Sequence, residues 1–162
     1  MPKTKIVIVG LGGVGGYFGG LLAKQFYSIE DVDIIFFARG SYLQYIKSHG
    51  LKIIMGQDTW TVHPNIATDN SSEIGTADLI VLCTKSYDLE SAIPQLLPAI
   101  NKDTIVLPLL NGVDSKDKIK NILPDNLVMD GCVYIVSRLI QDGIVENSGN
   151  IQKLFFGLHN WE

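Results

Sequence analysis

The chain has 162 residues, 46% of them hydrophobic and 19% charged, with a net charge of −4 and no basic run. That length suits one domain with a sizeable core and is short for two. Without clustered Lys and Arg, nucleic-acid binding is disfavoured, and Gly, Pro or charge cuts every apolar stretch well short of a membrane span.

Met1-Pro2-Lys3-Thr4 runs straight into an apolar segment, which leaves no room for a leader and predicts a cytoplasmic protein. Residues 5–9 (Lys-Ile-Val-Ile-Val) read as a buried strand. Gly10-Leu11-Gly12-Gly13-Val14-Gly15 follows, a G-x-G-x-x-G pattern on Gly10, Gly12 and Gly15. Set between an apolar β-branched run and a helical segment, that pattern brings bare backbone N–H groups and a helix N-terminus against a pyrophosphate. The helix is predicted over 13–27, with Val14, Phe18, Leu21, Leu22 and Phe26 spaced to face a sheet. No Gly-Lys-Ser/Thr follows the turn, so a mononucleotide P-loop is excluded.

Asp33–Phe37 is the second strand, ending in Ala38-Arg39-Gly40-Ser41. An NAD-selective domain carries an acid at this point for the ribose hydroxyls, whereas an Arg accommodates the 2′-phosphate of NADP. The strand tip holds no acid, and the planar guanidinium of Arg39 suits a phosphate dianion, so NADP is predicted. Ser41 is expected to cap a short helix over 42–49, stopped by His49-Gly50.

Leu51–Ile54 and Thr59–Val62, joined by Gly56-Gln57-Asp58, read as an inserted hairpin. Asn65–Thr68 is a further short strand. Asp78–Cys83 is a strong buried strand ending in Thr84-Lys85-Ser86-Tyr87-Asp88, and a helix over 88–100 is predicted to be broken by Pro94 and Pro98. Thr104–Leu107 is the next strand and leads to Asn111-Gly112. Ser115 is expected to cap a helix to about 122. Leu127–Val136, Ile144–Glu146 and Leu154–Gly157 are the last strands.

This alternation predicts a Rossmann-type α/β fold: a doubly wound, mostly parallel sheet with an inserted hairpin and antiparallel C-terminal strands. Lys85 and Asn111 then end neighbouring strands on the ligand side of the sheet, where a Lys can reach ribose hydroxyls or a substrate carboxylate. Cys83 and Cys132 lie in apolar runs without metal-ligand spacing and are expected to be reduced, buried and structural, with no metal. His49, His63 and His159 fall at a helix end, in a loop and near the terminus, and no Ser/His/Asp order supports a triad. Trp60 and Trp161 read as packing or surface aromatics, Trp161 as a cover for an apolar face.

Five stretches together resemble the N-terminal domain of the 2-dehydropantoate 2-reductases, the ketopantoate reductase family. They are the glycine loop with Tyr17-Phe18-Gly19; Ala38-Arg39-Gly40 with His49-Gly50-Leu51; Thr84-Lys85-Ser86-Tyr87-Asp88; Leu110-Asn111-Gly112-Val113; and Ser148-Gly149-Asn150 with Phe156-Gly157. The resemblance implies NADPH-dependent reduction of 2-dehydropantoate to pantoate, in pantothenate and coenzyme A synthesis. It implies that residues 10–15 hold the pyrophosphate, Arg39 the 2′-phosphate, and Lys85 and Asn111 the nicotinamide-ribose side. Ser137 is the nearest match for a backbone contact that follows the next strand. In that family a C-terminal helical domain supplies the proton-donating Lys and most substrate-binding groups. Residues 1–162 would be the cofactor-binding half, with Lys85 at most in a supporting role. A stand-alone dinucleotide-binding or redox-sensing module, and a reductase of a different 2-oxo acid, remain the alternatives.

Overall fold

The computed structural model describes residues 2–110 and 114–158. Five strands form a wholly parallel central sheet: β1 (Thr4–Val9), β2 (Val32–Phe37), β5 (Ile66–Thr68), β6 (Leu79–Leu82) and β7 (Ile105–Pro108). Their order is β5-β2-β1-β6-β7. The chain leaves β1 toward β2 on one side and later returns to β6 on the other, so the order reverses between β1 and β6. In open α/β sheets the crevice beyond the carboxyl ends of the strands at such a reversal is where ligands bind.

Helices and a second sheet cover the two faces. On one, α3 (Leu89–Leu96) and α4 (Ser115–Ile122) bury Leu89, Ile93, Leu96 and Ile119 against Val7, Ile35 and Ile80. On the other lies α1 (Gly13–Gln25), with α2 (Gly40–His49) beside it. Helix α1 is covered in turn by a four-stranded sheet of order β4-β3-β10-β9, built from β3 (Leu51–Met55), β4 (Asp58–Val62), β9 (Ser137–Gln141) and β10 (Ile144–Asn147). It is therefore packed from both sides, which explains its glycines. A Cβ on Gly19 would press on Ile8 of the central sheet at 3.1 Å, and one on Gly16 on Val145 of the outer sheet at 2.5 Å. Glycine costs helix propensity of about 1 kcal/mol per residue. Here it lets two sheets close on one helix, burying Ile53 and Val145 completely, each worth roughly 1.5–3 kcal/mol.

The inserted hairpin is β3–β4, antiparallel as expected. The C-terminal strands pair antiparallel as expected, β9 with β10 and β8 (Asp130–Tyr134) with β11 (Lys153–Gly157), but in two sheets apart from the central one, and β10 also pairs with β3 in parallel. Strand β9 was not foreseen: residues 137–141 are largely exposed, so no apolar alternation marks them. The predicted strand Leu127–Val136 shrinks to β8 (Asp130–Tyr134), which pairs antiparallel with β11 (Lys153–Gly157), while Val128 bridges Val106 beside β7. The predicted helix over 88–100 is three pieces: a 3-10 turn at Ser86–Asp88, α3, and a 3-10 turn at Leu97–Ala99.

Neither expected serine cap holds. Helix α2 opens at Gly40 with Arg39 as its N-cap, and α4 opens at Ser115 with Asp114 as its N-cap. Asp114 pairs with Lys118 one turn on, at 2.8 Å. Cys132 is also corrected. It is exposed, because the two-stranded β8–β11 ribbon turns that position outward, whereas Cys83 is mostly enclosed. On the same ribbon Tyr134, Phe155 and Phe156 are exposed, each by more than half its surface. Among the described residues no helix is long and apolar enough to cross a membrane, and no cluster of His, Cys, Asp or Glu could hold a metal ion.

Candidate functional site: a glycine turn between two cavities

The glycine loop lies at the strand-order reversal, and its glycines differ in what surrounds them. Gly10 leaves β1 with φ +84°, and its Cα faces the backbone of Cys83 and Thr84 at the end of β6, where a Cβ would stand 2.8 Å from both. A Cβ on Gly15 would collide with the Gly10 carbonyl oxygen and stand 2.8 Å from Cys83 Cβ. Gly12 is different: a Cβ there would meet nothing within 4 Å. That glycine is not needed for packing. Its open side faces outward at the head of α1, whose first turn holds no acidic residue. Space beside a helix N-terminus with free N–H donors is what a pyrophosphate requires.

A cavity flanks the loop on each side. The first, about 260 Å³, is lined by Val9, Gly10, Leu11, Arg39, Tyr42 and Thr84 among others. The second, about 480 Å³, is lined by Gly12, Gly13, Thr84, Lys85, Ser86 and Ser137 among others. Each contains one cation, Arg39 in the first and Lys85 in the second, and no carboxylate lines either among the described residues. Both cations are exposed, and neither side chain makes a hydrogen bond or ion pair with another described residue.

Ser137, from the start of β9, reaches back to the loop. Its hydroxyl donates to the Gly13 carbonyl at 2.8 Å, and its own carbonyl packs so closely on Gly13 that a Cβ there would collide with it. Gly10 to Gly15, Arg39, Lys85 and Ser137 are thus gathered around one crevice. Asn111 lies outside the described residues.

Two residues here were not anticipated. Tyr42, from the first turn of α2, walls the Arg39 cavity and donates its hydroxyl to the Leu11 carbonyl at 2.7 Å. Burial first, then the nearby Asp142 carboxylate, raise its pKa well above the ordinary tyrosine value, so it stays a donor. Thr84 lines both cavities, and its Oγ1 is buried without a hydrogen-bond partner among the described residues. A buried hydroxyl left unpaired costs about 1–3 kcal/mol, so Thr84 has a free donor and acceptor to offer a ligand atom at the loop. The open side of Gly12, the orphaned Thr84 hydroxyl and two cations unpaired among the described residues together fit a dinucleotide. The sequence signal for Thr84 was its place at a strand's carboxyl end. Tyr42 gave none, since a helix-face aromatic reads as core.

The comparisons with known proteins agree with this geometry. The profile described as "Ketopantoate reductase PanE/ApbA" matches residues 6–161. The chain belongs to the ketopantoate reductase family. The crystal structure of 2-dehydropantoate 2-reductase from Porphyromonas gingivalis W83 superposes with a TM-score of 0.89 at 36% identity, over 95% of this chain and 54% of that one. An uncharacterised oxidoreductase of Bacillus subtilis, YkpB, is 27% identical over 98% of this chain and 50% of its own length. The ternary structure of D-mandelate dehydrogenase with NADH and anilino(oxo)acetate superposes with a TM-score of 0.75 at 31% identity, over 90% of this chain and 46% of that one. The chain therefore spans about half the length of these relatives. Its α/β fold with a parallel central sheet is that of the N-terminal half of ketopantoate reductases.

Proposed function

We propose that residues 1–162 are the NADP(H)-holding half of a 2-dehydropantoate 2-reductase acting in pantothenate synthesis. The observation that carries this reading is the glycine turn at the sheet's reversal, with one unpaired cation and no carboxylate, among the described residues, in the cavity on either side. Backbone N–H groups of residues 10–15 would hold the pyrophosphate, Arg39 the 2′-phosphate, and Lys85 with Asn111 the nicotinamide ribose. Ser137, hydrogen-bonded to the Gly13 carbonyl, would add a backbone contact to the cofactor.

The bound cofactor supplies a hydride to the ketone carbon. This chain's part is to orient and shield it. Thr84 and Tyr42 wall the crevice, the loop fixes the phosphates, and Lys85 places a cation where a substrate carboxylate or ribose would lie. The carbonyl oxygen must also take a proton, and a carboxylate needs its own cation. Lys85 alone does not supply both. The length by which the relatives exceed this chain is the natural source of the second group, a helical domain by family resemblance. The exposed Tyr134, Phe155 and Phe156 give such a domain an apolar surface to cover.

A second reading, reduction of a different 2-oxo acid, is favoured by the likeness to a D-mandelate dehydrogenase that binds anilino(oxo)acetate. Both readings are tested by measuring binding and turnover separately. The 162-residue chain is expected to bind NADPH and to oxidise it very slowly with 2-dehydropantoate, while a protein of the relatives' full length turns over rapidly. Rapid turnover by the short chain overturns the assignment of the proton donor elsewhere. Full-length turnover with another 2-oxo acid but not 2-dehydropantoate selects the second reading. Failure to bind either NADPH or NADH overturns both.

A further inference from the structure

The hairpin β9–β10 does more than cover α1. Its base touches the loop through Ser137 and Gly13, and its tip packs on helix α2, which follows Arg39. At the tip, Asp142 accepts a hydrogen bond from the Ser41 hydroxyl at 2.6 Å, and a Cβ on the next residue, Gly143, would collide with the ring of Tyr45. Ser41 is two residues beyond Arg39, in the first turn of α2, and Tyr42 beside it walls the Arg39 cavity. A carboxylate from a distant part of the chain therefore occupies the hydroxyl that stands two residues beyond Arg39. The first turn of α2 holds no acid of its own.

We infer that Asp142 is a cofactor-selectivity residue: its carboxylate and the 2′-phosphate of NADP compete for the Ser41 hydroxyl, which sets the margin by which NADPH is preferred over NADH. The inference rests on the assignment of Arg39 to the 2′-phosphate. The physics is that of like charges around shared donors. A phosphate dianion drawn to Arg39 comes close to the Asp142 carboxylate, which has no cationic partner among the described residues. The repulsion is felt by NADPH and not by NADH, whose adenosine ribose carries no phosphate. It also predicts a salt dependence, since exposed charges are screened within about 10 Å at 0.1 M salt. A direct acid at the end of β2 would reject NADP outright. An acid held one shell away by a serine only trims the preference.

The test titrates NADPH and NADH into the 162-residue chain and its variants, following nicotinamide fluorescence. Asp142→Asn removes the charge but keeps an acceptor for Ser41. Asp142→Ala removes both and frees the hydroxyl. Asp142→Asn is expected to tighten NADPH by roughly three-fold at low salt and to leave NADH unchanged. Asp142→Ala is expected to tighten NADPH further, and the added gain disappears in Asp142→Ala/Ser41→Ala. The charge-dependent part shrinks at about 0.5 M salt. Both cofactors are read on the same folded protein, so a general loosening moves them together. An unchanged ratio of NADPH to NADH affinity in both Asp142 variants, or a selective loss of NADPH, overturns the inference. Arg39→Ala separates this from the parent reading. If it weakens both cofactors alike, the 2′-phosphate assignment fails. If it weakens NADPH selectively while the Asp142 variants change nothing, only the role of Asp142 fails.

Discussion

Tyr42 and Leu11 stand on different elements, α2 and the glycine loop, and a 2.7 Å hydrogen bond from the Tyr42 hydroxyl to the Leu11 carbonyl joins them. Leu11 is itself 4% exposed, so the loop is held at its side chain by the core and at its carbonyl by the tyrosine. Removing the hydroxyl with Tyr42→Phe keeps the packing and leaves one carbonyl unsatisfied. The expected cost is about 1 kcal/mol of stability, with NADPH and NADH weakened by the same factor, because the loop serves what the two cofactors share. Chemical denaturation together with paired cofactor titrations checks both statements.

Arg39 predicts the opposite pattern. If Arg39 holds the 2′-phosphate as proposed, Arg39→Ala removes a charge-assisted contact that NADH does not make, so NADPH affinity is expected to fall by roughly 10- to 100-fold and NADH affinity little. Since Arg39 is exposed and makes no side-chain hydrogen bond with another described residue, the melting temperature without cofactor should not move.

The glycines at 12 and 15 separate folding from binding. Gly15→Ala drives a methyl into the Gly10 carbonyl and against Cys83, and overpacking of this kind costs typically 1–3 kcal/mol. Gly12→Ala meets no atom within 4 Å, so the chain without cofactor should melt as before. The added methyl projects into the space assigned to the pyrophosphate, and cofactor affinity is expected to drop by at least ten-fold. A Gly12→Ala chain that binds NADPH normally would place the phosphates elsewhere. Calorimetry of both variants, with and without cofactor, reads the two effects apart.

The two thiols should differ sharply. Burial pushes Cys83 up from 9.0 to about 12, while Cys132 is exposed on the β8–β11 ribbon. Only the thiolate is nucleophilic. A thiol-labelling reagent at pH 8 is therefore expected to modify Cys132 quickly and Cys83 only on the timescale of unfolding, as peptide mass mapping would show. The folded chain holds the Cys83 proton more tightly than the unfolded chain does. Its contribution to stability is thus complete below about pH 9 and is lost as pH rises toward 12. Denaturation midpoints should fall over that window, and a Cys83→Ala chain should lose less of its stability there.

Much of this was legible in the chain itself, and the reasons are local. The run Lys5–Val9, the three glycines and the helix after them are fixed by neighbours in sequence, as is Arg39 at the end of β2. The structure brings Gly10 to Gly15, Arg39, Lys85 and Ser137 around one crevice, as those local patterns suggest. What escaped depended on long-range pairing. Ser41 looked like a cap because Ser favours that position, but its hydroxyl goes to Asp142, 101 residues away. Residues 137–141 carry no alternation because β9 is an exposed edge strand, and its partner β10 decides its conformation. Cys132 read as buried because apolar residues surround it in sequence, yet a two-stranded ribbon has few atoms to cover both its faces.

The parallel pairing of β10 with β3 joins residues 144–147 to 52–55. The parallel sheet and its helices, the part that a mononucleotide-binding pattern would delimit, are complete by Ile122. The outer wall of α1 is not, because Val145 and the partner of β3 arrive only after another twenty or so residues. A cut placed at the apparent end of the βαβ pattern would leave the glycine-bearing helix bare on one side and β3 with an open edge. The smallest piece able to fold and be transplanted with the glycine turn and its two cavities intact therefore runs at least to Asn147. Grafting or recombination between relatives should take its junction beyond that residue.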